Sequence, residues 1–448
     1  MAKTNLKAPA VPAPRTHEGA VAARVSKIAE LRRSVMACLL WEDTFYESGA
    51  DIGARIAALV PQCAPEQVVA LALEARGDMK LRHVPLLLIA ELAHARVNVE
   101  RALSLVIQRP DELTEFLALY WRAGRVPLSA SVKRGLARAF QKFSAYALAK
   151  YNRAEAIKLR DVLFLTHAKP ITDAQAATWK QLIDGTLAAP DTWEVALSSG
   201  ADKLATWTRL LAENKIGALA LLRNLRNMQD AKVPPEAIKA ALATVQVDRI
   251  LPFRFIAAAR YAPTLEPELE AAMYRCLPEG GKLLGKTALV IDGSGSMFGT
   301  PISKKSELDR FDAAAALAIL AREACEDVAV YIFSNSCTVV PPRRGFALRD
   351  ALHEKAEHSG TDTAAAVRKA NRDGYDRIIV VTDEQSHTSL PTPKGKAYIV
   401  KWRCERRREP DHRQLANCRN HVGFYRKLLH RNGSVRKQSN SDLHWYPE

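Results

Sequence analysis

The chain has 448 residues, and at roughly 100 to 200 residues per domain that length predicts two or three domains rather than one. Apolar residues make up 48% of it and charged residues 25%, the balance of a folded globular protein and not of a disordered or collagen-like one. The formal net charge is +16, and the longest apolar stretch, 84–92, already contains Pro85 and Glu91, so no membrane-spanning helix is expected.

The first 15 residues hold three prolines, three cations and no acid, the composition of a flexible basic arm. They have no apolar core or cleavage pattern, so no secretory leader is read there and the protein is expected to stay in the cytoplasm. From Thr16 to about Pro278 the hydrophobic pattern is helical almost throughout. Predicted helices include 66–76 behind a first-turn proline, 112–121, 132–151, 161–165, 215–228 and 266–276. Many helices of this length joined by short turns predict a solenoid of stacked helical pairs, with no crisp repeat period surviving in the sequence.

After Gly280-Gly281 the texture changes. Short β-branched runs at 287–291, 328–333, 378–382 and 397–400 alternate with helical stretches at 308–325, 346–356 and 363–371. Buried strands alternating with helices predict a parallel sheet covered on both faces, a separate α/β unit. The division read from this is 1–15 arm, 16–282 helical solenoid, 285–400 α/β domain and 401–448 basic tail. Seven cysteines (Cys38, Cys63, Cys276, Cys325, Cys337, Cys404 and Cys418) are scattered and never in CxxC spacing, so they read as reduced, mostly structural thiols.

The charge is concentrated. Between Arg122 and Pro170 eleven basic residues face two acids, Glu155 and Asp161, and the 401–448 tail holds twelve against five. Within the first of these segments, Arg134, Arg138, Lys142, Tyr146 and Lys150 recur every four residues along one face of a helix read over 131–151, while Leu136, Phe140, Phe143 and Ala147 supply its core stripe. Like charges at that spacing destabilise an isolated helix, and with no interleaved acid a polyanion is the natural counterweight. Phosphate contacts release counterions, so such binding weakens steeply with salt, and Tyr146 offers a stacking face for an unpaired base. Lys133 and Lys169 belong to the same basic surface; a solvated charged face is the plainer alternative. His167 reads equally as an RNA contact or as a histidine packed at a helix end. Arg223 and Arg226 read as a helix's polar side, and Arg254, between Phe253 and Phe255, as structural.

The second signal is Asp292-x-Ser294-x-Ser296 directly after a predicted strand. Alone such a triplet is a turn with a helix N-cap. Ligands of doubly wound sheets, however, bind at the carboxyl ends of the strands, and Thr361 and Asp383 reach the same rim if the sheet is parallel. Hydroxyls and carboxylates there offer oxygen ligands to a hard divalent cation, Mg2+ foremost, without neutralising it fully. The sequence has no Gly-rich phosphate loop, nucleophile elbow or HExxH, so no catalytic nucleophile or base is proposed. A nuclease would need clustered carboxylates for two metals, which these loops lack.

Several ordered motifs are recognisable together: THEGA at Thr16, Asp111-Glu112-Leu113 with Leu119-Tyr120-Trp121, KRGLARAFQKF at Lys133, LRDVLFLTHAKP at Leu159, TWEVALS at Thr192, ALLRNLRNM at Ala220, LPFRF at Leu251 and DGSGSM at Asp292. They resemble the TROVE module of the Ro autoantigen family, bacterial Ro proteins above all, over roughly 16–400. The resemblance implies an all-α ring of HEAT-like helical pairs closed by a doubly wound von Willebrand factor A domain with a metal-ion-dependent adhesion site. It implies a non-enzymatic protein that binds Y RNA-like RNAs on the basic outer surface of a monomeric ring. Single-stranded 3′ ends of misfolded non-coding RNAs would enter the hole, in RNA quality control and stress response, with an exoribonuclease as a candidate partner. By position, Lys150 and His167 match family RNA-contacting residues and Arg153 lies close to a third, while Asp292, Ser294, Ser296, Thr361 and Asp383 match the metal-site pattern. After Val400 the chain departs from the family into an arginine-rich, poorly periodic tail, read as an altered reading frame or a divergent terminus. The alternative function is a protein-interaction adaptor whose metal site grips a partner's carboxylate.

Overall fold

The computed structural model describes residues 26–37, 49–248, 250–277, 282–299, 301, 308–383 and 390–401. The expected arm, the THEGA motif and the tail beyond Lys401 lie outside these residues.

The described elements between Lys27 and Tyr274 are helices, and in the earlier and later parts of this region every second one is a neighbour. Lys27–Ala37, Pro65–Gly77, Glu100–Val106, Ala130–Phe140 and Leu159–Thr166 pack in succession as one row, while Gly49–Leu59, His83–His94 and Asp111–Tyr120 form a second row against it. Further along, Lys203–Ala212, Pro235–Thr244 and Glu266–Tyr274 make one row and Ala218–Asp230 and Phe253–Tyr261 the other. This is the stacking of helical pairs that the pattern predicts. Burial follows from sequence: His83–His94 is apolar on nearly all sides and buries nine of its twelve residues, whereas Ala130–Phe140 buries Val132, Gly135, Leu136, Ala139 and Phe140. Gly135 lets that helix approach its neighbour, because a Cβ there would sit 3.0 Å from the Glu100 carbonyl oxygen and 3.1 Å from Leu103 Cβ.

The helix read over 131–151 is two helices. Ala130–Phe140 ends, Gln141 to Phe143 turn, and Ser144 starts Ala145–Tyr151 by accepting the Ala147 N–H on its hydroxyl. Gln141 is tied sideways, its amide donating to the Lys169 carbonyl and its own carbonyl accepting from Gln175, both at 2.9 Å. A continuous helix here would forgo that cap and those bonds.

The second part is a five-stranded sheet: β1 (Leu283–Asp292), β2 (Cys325–Phe333), β3 (Cys337–Val339), β4 (Arg377–Thr382) and β5 (Lys396–Lys401), in the order β3-β2-β1-β4-β5. The four strands expected from sequence are parallel; β3 adds an antiparallel edge to β2, so the sheet is mixed. Side chains alternate across it. Leu289, Ile291, Val330, Ile332, Ile379 and Val381 face the core shared with helix Arg310–Ala324 and the helical part, and Ala288, Val290, Tyr331, Phe333, Ile378 and Val380 face helix Thr363–Asp373. Strands buried on both faces read as unbroken apolar runs, which is why they were visible in the sequence.

The two parts meet through helix Phe253–Tyr261 against helix Arg310–Ala324. Arg260 Nη2 lies 2.5 Å from Asp312 Oδ1, and the Phe346 N–H donates to Glu270 Oε2 at 2.6 Å. Among the described residues no helix is long and apolar enough to cross a membrane.

Candidate functional site

Basic residues of 122–170 fall into two groups once their partners are known. Glu100, on the adjacent helix, accepts from Arg134 Nε at 2.5 Å and lies 2.9 Å from Arg138 Nη2. The Arg134 hydrogen bond, with Arg138 beside it, holds the Glu100 carboxyl below the ordinary range. The acid missing from the sequence row is thus supplied from another helix, although both guanidiniums stay more than half exposed. Lys142 departs further from the expected row. Its ammonium donates to the carbonyls of Ser104 and Ile107, at the carboxyl end of helix Glu100–Val106, and loss of hydration there pulls its pKa below the usual lysine value. It caps a helix, and the face Arg134, Arg138, Lys142, Tyr146, Lys150 does not exist as one straight row.

The other group is uncommitted. Lys150, Arg153, His167 and Lys169 are exposed and Lys133 is half-buried, and among the described residues no acid lies within ion-pair distance of any of them. His167 terminates helix Leu159–Thr166 in a left-handed conformation, φ 52°, with its ring outward, so the packed alternative for it does not hold. Of the two acids in the segment, Asp161 is spent on accepting the Lys158 N–H at 2.8 Å, where it caps that helix.

Lys150 and the half-exposed Tyr146 line a cleft of about 920 Å³. Trp193, Asn214, Lys215 and Gln246, from the later helical rows, complete its wall. Burial, with Glu194 and Asp191 nearby, pushes the Tyr146 hydroxyl pKa up, so it remains a neutral donor. The wall residues were not singled out from sequence: Trp193 and Asn214 sit some 50 and 70 positions from Tyr146, and only stacking of the rows joins them. Trp193 itself stacks on Trp207, centroids 5.6 Å apart.

The second site lies at the carboxyl rim of the sheet. β1 sits between β2 and β4, so a crevice opens at the ends of β1 and β4, where Asp292 and Asp383 stand. All five expected residues collect on this rim. Asp292 Oδ1 accepts the Ser294 N–H at 2.9 Å and Oδ2 the Thr382 hydroxyl at 2.5 Å, and the Ser294 and Ser296 hydroxyls are 3.2 Å apart. Burial, partly offset by those bonds, raises the Asp292 pKa to about 6. The Gly295 N–H donates to the Ser359 carbonyl at 3.0 Å, tying the DGSGS turn to the loop that carries the buried Thr361. The Phe298 ring stacks on Phe311 and His358 at 4.3 and 3.9 Å and fixes the same two loops. Gly293 is required by a close approach, since a Cβ there would lie 2.9 Å from the Ile332 side chain.

The donors suit a hard cation, being two carboxylates and three hydroxyls, and Asp383 Oδ1 is buried without a hydrogen-bond partner among the described residues. Among those residues no group of three or more His, Cys, Asp or Glu could hold a metal, so any cation on this rim would need the hydroxyls as well as the two carboxylates. Arg310 was not anticipated. Its Nη1 lies 3.0 Å from Asp383 Oδ2 and 3.2 Å from the Ser296 carbonyl oxygen, and its side chain is 5% exposed.

Comparison with known proteins bears on both parts. Residues 176–277 match the family model described as TROVE domain. The crystal structure of the Ro (RSR) protein of Deinococcus radiodurans is similar in fold, with a TM-score of 0.62 and 20% sequence identity over 89% of this chain and 99% of that one. A search of curated proteins finds no match. The TROVE match covers the rows that wall the cleft, and the structural likeness extends over the helices and the sheet together. The likeness read from the ordered motifs is met in two respects: part of the helical region matches the TROVE domain family, and the fold of the chain is similar to that of a bacterial Ro protein.

Proposed function

We propose that this chain is a non-enzymatic RNA-binding protein whose helical pairs form a TROVE ring and whose sheet is a von Willebrand factor A domain. The observation that carries the reading is the set of cations, Lys133, Lys150, Arg153 and Lys169, that stand on one segment with no acid among the described residues within ion-pair distance. Cations left unpaired by the fold are available to phosphates, and each phosphate contact adds affinity through counterion release. Arg134 and Arg138 can turn outward from Glu100 to join them. Tyr146 and Trp193 at the cleft supply aromatic faces of the kind on which unpaired bases stack. The RNAs proposed are small structured non-coding RNAs of the Y RNA type on the basic surface, and single-stranded 3′ ends in the cleft, with a role in RNA quality control.

On the rim, Asp292, Ser294, Ser296, Thr361 and Asp383 are proposed to hold one divalent cation, Mg2+. Bound there it would supply a positive centre for an acidic group of a partner protein.

The test is fluorescence anisotropy with a hairpin RNA carrying a single-stranded 3′ tail, compared with the blunt hairpin. The reading expects both to bind, the tailed one more tightly, with binding lost at high salt and kept in chelator. Absence of RNA binding, with a protein partner released by chelator, would favour the adaptor instead.

A further inference from the structure

We propose that Arg310 is a tethered cation that holds the Asp383 corner of the rim site and competes with a divalent metal for it. The inference rests on reading the rim residues as a cation site, and it concerns what fills that site when no metal is present.

Arg310 is the first residue of helix Arg310–Ala324. Asp309 caps that helix, its carboxylate accepting the Asp312 N–H at 2.9 Å while the Asp312 carboxylate accepts the Asp309 N–H at 3.0 Å. The double bond fixes the helix start and thereby the direction in which the Arg310 side chain leaves. A surface arginine at such a position would lie in solvent, whereas this one runs inward to the rim. There its guanidinium joins the two loops that carry the candidate ligands, contacting the Ser296 carbonyl on one and Asp383 Oδ2 on the other. The Asp383 side chain is wholly buried, so the pair is shielded from water on both sides. A buried carboxylate must be paired or protonated, and Arg310 pairs it.

The remaining donors are turned on one another. Both Asp292 oxygens accept protein hydrogen bonds and the two serine hydroxyls bond each other, while Asp383 Oδ1 is buried without a hydrogen-bond partner among the described residues. The metal-free rim is therefore already neutralised at its second carboxylate. An arginine does not give up its proton at any physiological pH, so it cannot vacate the site as a neutral group and has to swing away from Asp383. A divalent cation entering beside it meets like charge in a poorly hydrated crevice. The affinity of the site for metal is accordingly set by Arg310 as well as by the ligands.

The experiment measures Mn2+ binding to the full chain by the electron paramagnetic resonance signal of the free ion, for the wild type, Arg310→Gln, Arg310→Lys and the double variant Arg310→Gln with Asp383→Asn. The proposal expects weak binding by the wild type, at least tenfold tighter binding by Arg310→Gln, a value near wild type for Arg310→Lys, and loss of the gain in the double variant. If Arg310→Gln is poorly folded without metal, Mn2+ should raise its melting temperature more than it raises the wild type's, and failure to do so counts against the proposal. Equal affinity in the wild type and Arg310→Gln overturns the competition while the cation site stands. Absence of Mn2+ binding in every variant overturns the cation site and the competition with it.

Discussion

Removing the single carboxylate of Glu100 should strengthen RNA binding. In the folded chain one acid serves two guanidiniums, Arg134 at 2.5 Å and Arg138 at 2.9 Å, and both are more than half exposed, so an incoming phosphate competes with Glu100 for each. Glu100→Gln keeps the side-chain volume and removes the competitor. If each freed guanidinium then meets a phosphate, the slope of log K against log salt steepens by about 0.7 to 0.9 per contact, or roughly 1.6 for the two. The affinity ratio of variant to wild type then grows roughly forty-fold for each tenfold reduction in salt, and the two converge at high salt. The cost to the fold is small, because exposed pairs contribute little and the apolar stripe of helix Ala130–Phe140 is untouched. Anisotropy titrations of a labelled hairpin at four or five salt concentrations measure both quantities. Unchanged affinity and slope, with the variant folded, would refute the idea that this face meets phosphate.

Three other outcomes follow from the same structure. Lys142→Glu should lower stability by about 1 kcal/mol, since it places an acid at the negative end of helix Glu100–Val106, yet leave RNA affinity of the folded protein nearly unchanged; thermal melts and anisotropy separate the two. Glu112→Ala should cost about 3 to 5 kcal/mol in denaturant unfolding, because Glu112 is fully buried, pairs with Arg76 at 2.6 Å and accepts the N–H groups of Gln108 and Arg109. Asp292 has a pKa raised to about 6 by burial, so the fold favours its protonated form. Its contribution to stability is present in full below the ordinary carboxylate pKa near 4 and is lost as pH rises through 6. Asp292→Asn should therefore raise the unfolding free energy in chelator at pH 7.5, by about 3 kcal/mol at most, and flatten its pH profile between 4 and 7. A variant less stable than wild type at pH 7.5 would contradict this.

What the sequence disclosed depended on whether the information was local. The four parallel strands were legible because burial on both faces leaves uninterrupted β-branched runs, and the rim site because Asp292, Ser294 and Ser296 share one turn. The edge strand Cys337–Val339 was missed, three residues being too few to display a period. The break at Gln141–Phe143 was missed because the apolar stripe from Leu136 to Ala147 continues in step across it, and only the Ser144 cap betrays a second start. Partners were the largest gap. Nothing in the spacing of Arg134 and Arg138 announces Glu100, thirty-four residues away in sequence, and nothing in Asp309-Arg310-Phe311 announces that the arginine turns inward to Asp383. Charge counted along the chain thus located the basic segment, while the division into paired and unpaired cations needed the neighbouring helices.

The central claim is that the unpaired cations of the basic segment contact RNA phosphates, and the most direct measurement is the salt dependence of RNA affinity for the wild type and for Lys150→Glu combined with Lys169→Glu. Both positions are exposed and have no acid partner among the described residues, so the double reversal should leave the melting temperature near wild type. The account predicts a linear log K against log salt plot for the wild type, with affinity more than tenfold weaker in the double variant at low salt and a slope shallower by about 1.6. Coincident plots for the two proteins would contradict it.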